Sequence, residues 1–97
     1  MFLNQGNRII KTEQISRGGI TQTAVDVRVI FKRALELMAT AIVLSHNHPS
    51  GNLTPSQADT HITKKIKEGA TLLDIQVLDH IIVSQKDFYS FADEGLI

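Results

Sequence analysis

Residues 41–68 constrain the fold most, because the pattern changes there from that of a strand to that of a helix. Residues 41–45 are apolar and rich in β-branched side chains, which predicts a short buried strand. Residues 49–52 then break the strand with turn-forming side chains. Thr54 predicts a helix N-cap, with Pro55 at the first helical position. The segment therefore predicts a strand, a turn and a helix in direct succession.

Four side chains with metal-binding or hydroxyl chemistry flank this turn, in the pattern H-x-H-x7-S-x2-D. Residues two apart on a strand point to the same face, so His46 and His48 are expected to point together. Ser56 is expected in the first helical turn, with Asp59 three residues later on nearly the same face. Two imidazoles and a carboxylate form a plausible zinc ligand set that leaves a fourth position for water. The pattern therefore predicts a metal site at His46, His48 and Asp59.

Each of these residues also has a purely structural interpretation. Asp59 is explained as a first-turn carboxylate that the helix dipole favours. Ser56 is explained as a small residue near a cap, and the two histidines as turn residues with ordinary hydrogen bonds. Each explanation covers one residue, whereas a metal site explains the complete spacing, so we favour the metal site.

The remaining elements are predicted from capping residues and apolar periodicity. Strands are expected at residues 2–3, 9–15, within 73–84 and near 88–91, with a hairpin turn at 4–7. Thr23 predicts the cap of a first helix that has Asp26 in its first turn and runs to about Ala39. The second helix is predicted from Pro55 to about residue 68, with Gly69 as the residue that ends it. With 97 residues, the chain is one small domain.

The composition excludes several classes of function. The absence of cysteine excludes disulfides, thiolate zinc sites and the ligand pattern of the zinc deaminases. A formal net charge of zero argues against direct nucleic-acid binding. Lys64, Lys65 and Lys67 are interpreted as a solvated group at the end of the second helix. No stretch is long enough to span a membrane and no signal-peptide pattern is present, so we expect a soluble, cytoplasmic protein.

Two further histidines lie outside the pattern. His61 follows Asp59 by two residues, so on a helix it points away from the metal. His80 lies in an apolar strand, where it is either a core or turn residue with ordinary hydrogen bonds or an outer partner of a metal ligand. The same two interpretations apply to Asp79.

Three stretches of the chain resemble a known family. The H-x-H-x7-S-x2-D pattern resembles the JAMM motif of the MPN metalloprotease superfamily. Residues 44–52, Leu-Ser-His-Asn-His-Pro-Ser-Gly-Asn, and residues 78–83, Leu-Asp-His-Ile-Ile-Val, are similar to its RadC-like branch. The resemblance covers almost the whole chain and implies a three-layer α/β domain over residues 1–97, with a mixed sheet and the cytidine-deaminase-like architecture.

The resemblance also implies a chemistry. Zn²⁺ would be held by His46, His48 and Asp59, and water would attack the carbonyl of a peptide or isopeptide substrate. Ser56 would donate a hydrogen bond to the oxyanion. Members of the family carry an old association with DNA repair, which nothing in this sequence supports.

The chain departs from the family in one respect. The family's general-base glutamate lies on an upstream strand, at a position that falls before Met1. We therefore expect either a domain truncated at its N-terminus, which we favour, or a degenerate member. Glu13 is the only acidic residue in the early strands and is the remaining candidate for the base. The chain as given is expected to bind metal and to hydrolyse poorly.

Three other functions stay open at this point. H-x-H also occurs in metal-dependent phosphoesterases, although Ser50 and Gly51 stand where such a site would place its aspartate and histidine. A non-catalytic binding module would keep the fold and bind partners at a sheet edge or groove. A DNA-repair accessory domain would act through a protein partner.

Overall fold

The computed structural model describes residues 1–15, 25–48 and 52–97. In this part of the chain the elements are β1 (Phe2–Leu3), β2 (Ile9–Lys11), α1 (Val27–Glu36), β3 (Ala41–Asn47), α2 (Gln57–Leu72), β4 (Gln76–Val83) and β5 (Phe88–Ser90). The strands form one five-stranded sheet in the order β2-β1-β3-β4-β5. β3 and β4 are parallel and the other neighbours are antiparallel. The predicted α/β class with a mixed sheet is confirmed.

The parallel pair β3 and β4 positions the polar residues. Parallel neighbours need a crossover, and α2 provides it between these two strands. The first turn of α2 therefore follows the carboxyl end of β3. This end of the sheet carries His46 and His48, whereas Asp59 lies in the first turn of α2.

One apolar core joins both helices to the sheet. The buried residues of this core are Phe2, Ile30, Ala34, Ala39, Ile42, Ile62, Ile66, Ala70, Ile75 and Val77. Ile62 and Ile66, which are four residues apart on α2, are both buried in this core. The helices approach each other closely at Gly69, where a Cβ atom would lie 2.7 Å from Cε2 of Phe31. Gly69 is therefore needed inside α2 for contact with α1.

The first helix differs from the prediction at both ends. Asp26 is the N-cap rather than a first-turn residue, because its carboxylate accepts a hydrogen bond from the Arg28 backbone N–H at 2.9 Å. Thr23 lies outside the described residues. The helix ends at Glu36 instead of running to Ala39, since Met38 adopts a left-handed conformation with φ of 52°.

The second helix begins later and ends later than predicted. Its N-cap is Ser56 rather than Thr54, because Ser56 and Asp59 bind each other's backbone N–H groups in a capping box. Gly69 does not end the helix, which continues to Leu72 and is followed by Asp74 in the left-handed region. Lys64, Lys65 and Lys67 therefore lie within the helix and not in its last turn, which contains no basic residue.

The strands follow the predictions more closely. Residues 73–84 contain one strand, β4, and the predicted return strand is shortened to β2, which excludes Ile15. The hairpin turn at 4–7 is confirmed, with the Asn7 N–H bonded to the Asn4 carbonyl at 2.9 Å. Of the turn predicted at residues 49–52, residues 49–51 lie outside the described residues. In the described ranges, neither helix has the length and apolar character that crossing a membrane requires.

Candidate metal centre

The end of β3 and the start of α2 bring three predicted ligands together. Nε2 of His46 lies 2.9 Å from Nε2 of His48 and 3.1 Å from Oδ1 of Asp59. Nε2 of His48 lies 3.3 Å from Oδ2 of Asp59. These three residues are the group in the described part of the chain that could hold a metal ion.

The spacing of these atoms fits a small tetrahedral ion. Nitrogen and oxygen ligands bind zinc at roughly 2.0–2.1 Å, so two ligands of a tetrahedral ion lie about 3.3 Å apart. The two imidazole nitrogens lie 2.9 Å apart, and they lie 3.1 and 3.3 Å from the two different oxygens of the Asp59 carboxylate, which are distances close to this value. A cation would therefore fit with small adjustments of the rings.

Hydrogen bonds from outside the triad orient two of the ligands. Nδ1 of His48 lies 2.7 Å from the Asn52 carbonyl oxygen. Because a carbonyl only accepts, this contact places the His48 proton on Nδ1 and leaves the Nε2 lone pair directed at the site. Oδ2 of Asp59 accepts a hydrogen bond from the Ser56 backbone N–H at 2.8 Å. The capping box of α2 thus also holds the carboxylate ligand.

The electrostatics of the triad also favour a cation. Asp59 is 1% exposed, and its ion-pair partners among the described residues are the two imidazoles. Burial lowers the pKa of His46, which keeps this imidazole neutral and able to donate a lone pair. A buried carboxylate beside a neutral imidazole is unfavourable unless a positive charge joins it. A divalent ion would supply that charge.

Ser56 lies at the edge of the triad. Its Oγ accepts a hydrogen bond from the Asp59 backbone N–H at 3.0 Å, as an N-cap residue does. The residue is exposed, and nothing in the described part of the chain accepts its hydroxyl proton. The hydroxyl can therefore act as the cap and still donate to a bound group.

His80 is the residue whose contribution the sequence left undecided. It is fully buried, and its Nε2 lies 2.8 Å from Nδ1 of His46. Burial lowers the pKa of His80 to about 4. His80 is therefore both a core residue and a direct neighbour of a candidate ligand. Its position depends on an irregular register between β3 and β4, a feature that regular strand alternation does not reveal.

The other acidic and histidine candidates are not part of the triad. His61 is exposed, in agreement with the prediction. Asp79 accepts hydrogen bonds from the Ser90 hydroxyl and the Ala92 backbone N–H, so it fixes the turn after β5 rather than a ligand. Glu13 is paired with Arg33 at 2.8 Å, and this hydrogen bond lowers its pKa. A carboxylate held in that way is a poor general base.

Comparison with known proteins identifies a family and several relatives. A family model described as the RadC-like JAB domain matches residues 1–96. A UPF0758 protein of Flavobacterium johnsoniae is 54% identical over 96 residues, which are 99% of this chain and 42% of that protein. A UPF0758 protein of Porphyromonas gingivalis is 45% identical over an alignment of 98 residues, which covers all of this chain and 43% of that protein. The UPF0758 protein YfjY of Escherichia coli is 47% identical over 97 residues, covering all of this chain and 61% of that protein. The chain thus spans from about two fifths to three fifths of the length of these relatives, and it belongs to the RadC-like JAB domain family.

Proposed function

We propose that this domain is a zinc-dependent hydrolase of amide bonds that acts on a peptide or isopeptide. The observation that carries the proposal is the convergence of two imidazole nitrogens and one carboxylate at one end of the sheet, with contacts of 2.9, 3.1 and 3.3 Å. Three protein ligands and a position left for water distinguish catalytic from structural zinc sites. A bound zinc ion would supply a Lewis acid and would make water a nucleophile at neutral pH.

Ser56 supports this proposal through the hydrogen-bond capacity that it retains. Its oxygen is held by the Asp59 N–H, whereas its proton has no acceptor in the described part of the chain. A hydroxyl fixed in this way is suited to donate to a carbonyl oxygen as negative charge develops there. Removal of one such donor typically lowers turnover by about a hundred- to a thousandfold.

The described residues contribute least to the proton-transfer step of hydrolysis. Asp59 is the only carboxylate in the metal-binding group, and Glu13 is engaged by Arg33. A hydrolase needs a base within hydrogen-bond reach of the attacking water. This observation favours a second candidate for the chain as given, a binding module that retains the metal site without efficient catalysis.

The experiment begins with the metal. Protein purified without chelator should contain about one equivalent of zinc, as expected for a single three-ligand site. His48→Ala should lose it, because the Nε2 ligand is removed. The matched control is His61→Ala, which removes an exposed histidine at the fifth residue of α2 and should keep the metal. Equal metal content in both variants would refute the site.

Hydrolysis then separates the candidate functions. The zinc-loaded chain is assayed with peptide, isopeptide and phosphodiester substrates, with His48→Ala as the blank. Slow amide hydrolysis that depends on His48 supports the proposal, whereas metal binding with no turnover on any substrate supports the binding module. Turnover of phosphodiesters alone would replace the proposal with a phosphoesterase.

A further inference from the structure

A chain of buried hydrogen bonds leads from α2 through β4 to the metal centre. The Thr63 hydroxyl lies 2.5 Å from Nδ1 of His80, and Nε2 of His80 lies 2.8 Å from Nδ1 of His46. Thr63 is 2% exposed and His80 is fully buried. Because water is excluded, each polar atom in this chain depends on its protein neighbour.

The sheet register directs His80 into this position. β3 and β4 pair Ile42 with Val77 and then Val43 with Asp79, so one residue of β4 is extra. This bulge places Val77 and His80, which are three residues apart, on the same helix-facing side. The His80 ring is also stacked on Phe91, with ring centroids 4.7 Å apart and planes within 9°. The imidazole therefore has little freedom to turn away from His46.

The hydrogen bonds in this chain have a preferred direction. The Thr63 hydroxyl donates to the Asp59 backbone carbonyl at 2.7 Å. With its proton used there, the hydroxyl accepts from His80, which then carries its proton on Nδ1. Nε2 of His80 must then accept from Nδ1–H of His46. In this arrangement the Nε2 atom of His46 has no proton, and its lone pair faces His48 and Asp59.

The reverse direction would oppose metal binding. If Thr63 donated to His80, then Nε2–H of His80 would donate to His46, and the His46 proton would move to Nε2. That proton would point at the other two ligands and would have to move before a cation could bind, which weakens binding. The two arrangements contain the same number of protons and are both uncharged, so the neighbours of His46 determine which one is adopted.

We propose that Thr63 and His80 are positioning residues that hold His46 in its Nδ1–H tautomer and so present Nε2 to the metal ion. The inference rests on the metal site of the proposed function. It assigns control of the metal affinity of that site to two residues that are not ligands. Partners outside the ligand set typically change metal affinity by about 10- to 100-fold.

Thr63→Val tests the proposal with little change of shape. Valine cannot accept from His80, and a buried N–H without a partner is more costly than an unused ring lone pair. His80 should therefore move its proton to Nε2, and His46 should follow. Thr63→Ser keeps the hydroxyl and should behave as the wild type. Thr71→Val is the matched control. It removes a hydroxyl from the same helix, but at an exposed position, where the Thr71 hydroxyl donates to the Lys67 carbonyl at 2.9 Å.

The measurements are the Zn²⁺ dissociation constant of the full chain, by competition with a chromophoric chelator, and the ¹⁵N shifts of the His46 ring. Zinc binding by Thr63→Val should be about 10- to 100-fold weaker, and its metal-free His46 signals should shift toward the Nε2–H form. Thr63→Ser and Thr71→Val should match the wild type in both readouts.

Several outcomes would overturn the inference. Zinc affinity and His46 signals that stay unchanged in Thr63→Val refute it while leaving the metal site intact. Equal weakening of zinc binding in Thr71→Val also refutes it, because the effect would then come from any lost hydroxyl in α2 and not from the contact with His80. If Thr63→Val does not fold, His80→Phe is used instead, because it keeps a flat ring against Phe91. This variant should weaken zinc binding to the same degree, and wild-type zinc affinity in it would contradict the inference. A wild-type chain that binds no zinc refutes the proposed function itself, and this inference with it.

Discussion

Replacement of Ser56 by alanine separates the structural contribution of this residue from its chemical one. The variant removes the Oγ that accepts from the Asp59 N–H at 3.0 Å. Loss of a serine N-cap typically reduces the free energy of unfolding by about 1 kcal/mol. In a domain of 97 residues this corresponds to a fall in melting temperature of about 4–8 °C. The other half of the capping box survives, because the Ser56 backbone N–H still donates to Asp59 at 2.8 Å.

Metal binding should therefore change little in Ser56→Ala even though stability falls. The assay is thermal unfolding by circular dichroism, together with zinc content, on the wild type, Ser56→Ala and Ser56→Asn. Asparagine caps as well as serine does, so Ser56→Asn should restore most of the stability. The matched control is Thr54→Ala, which replaces the cap predicted from the sequence and should leave the melting temperature nearly unchanged. A larger fall in Thr54→Ala than in Ser56→Ala would show that the helix starts earlier and would refute the reasoning.

Two further predictions concern the fold. When free zinc is at one hundred times its dissociation constant, its removal should lower the free energy of unfolding by about 2.7 kcal/mol. The helical circular dichroism should stay intact below the unfolding transition. Loss of that signal would show that the metal is structural. Gly69→Ala should destabilise the domain in urea unfolding, because the new Cβ would lie 2.7 Å from Phe31 and overpacking typically costs about 1–3 kcal/mol, more than the gain of about 1 kcal/mol in helix preference. In a Phe31→Leu background the same substitution should instead be neutral or stabilising, and an equal loss in both backgrounds would show that Phe31 is not the cause.

The residues of the metal centre were predictable because their spacing is local. His46 lies near the end of β3, His48 directly follows this strand, and Asp59 lies in the first turn of α2, so a single strand-to-helix connection brings them together. The helix start was misplaced by two residues, since Thr54 followed by proline satisfies the usual capping pattern. Only the structure shows that Ser56 and Asp59 satisfy each other's backbone groups instead.

The contribution of His80 could not be predicted in the same way. Its contacts join three elements, because Thr63 and His46 lie 17 and 34 residues before His80 in the chain. They also depend on the bulge between β3 and β4, which changes the face to which β4 side chains point. A period of two residues along an apolar strand carries no information about such a bulge. Gly69 is a similar case, because its close approach to Phe31 is a tertiary contact that the local pattern of a helix end does not contain.

The composition of the ligand set follows from where the site lies. The first turn of α2 carries the positive end of the helix dipole, which opposes the binding of a cation. A third histidine at position 59 would add no charge to offset this field. Asp59 supplies a full negative charge at that point, and the same charge accepts the Ser56 N–H that α2 would otherwise leave without an intrahelical partner. The carboxylate that stabilises the helix start in the absence of metal is thus the group that makes the helix start able to accept one.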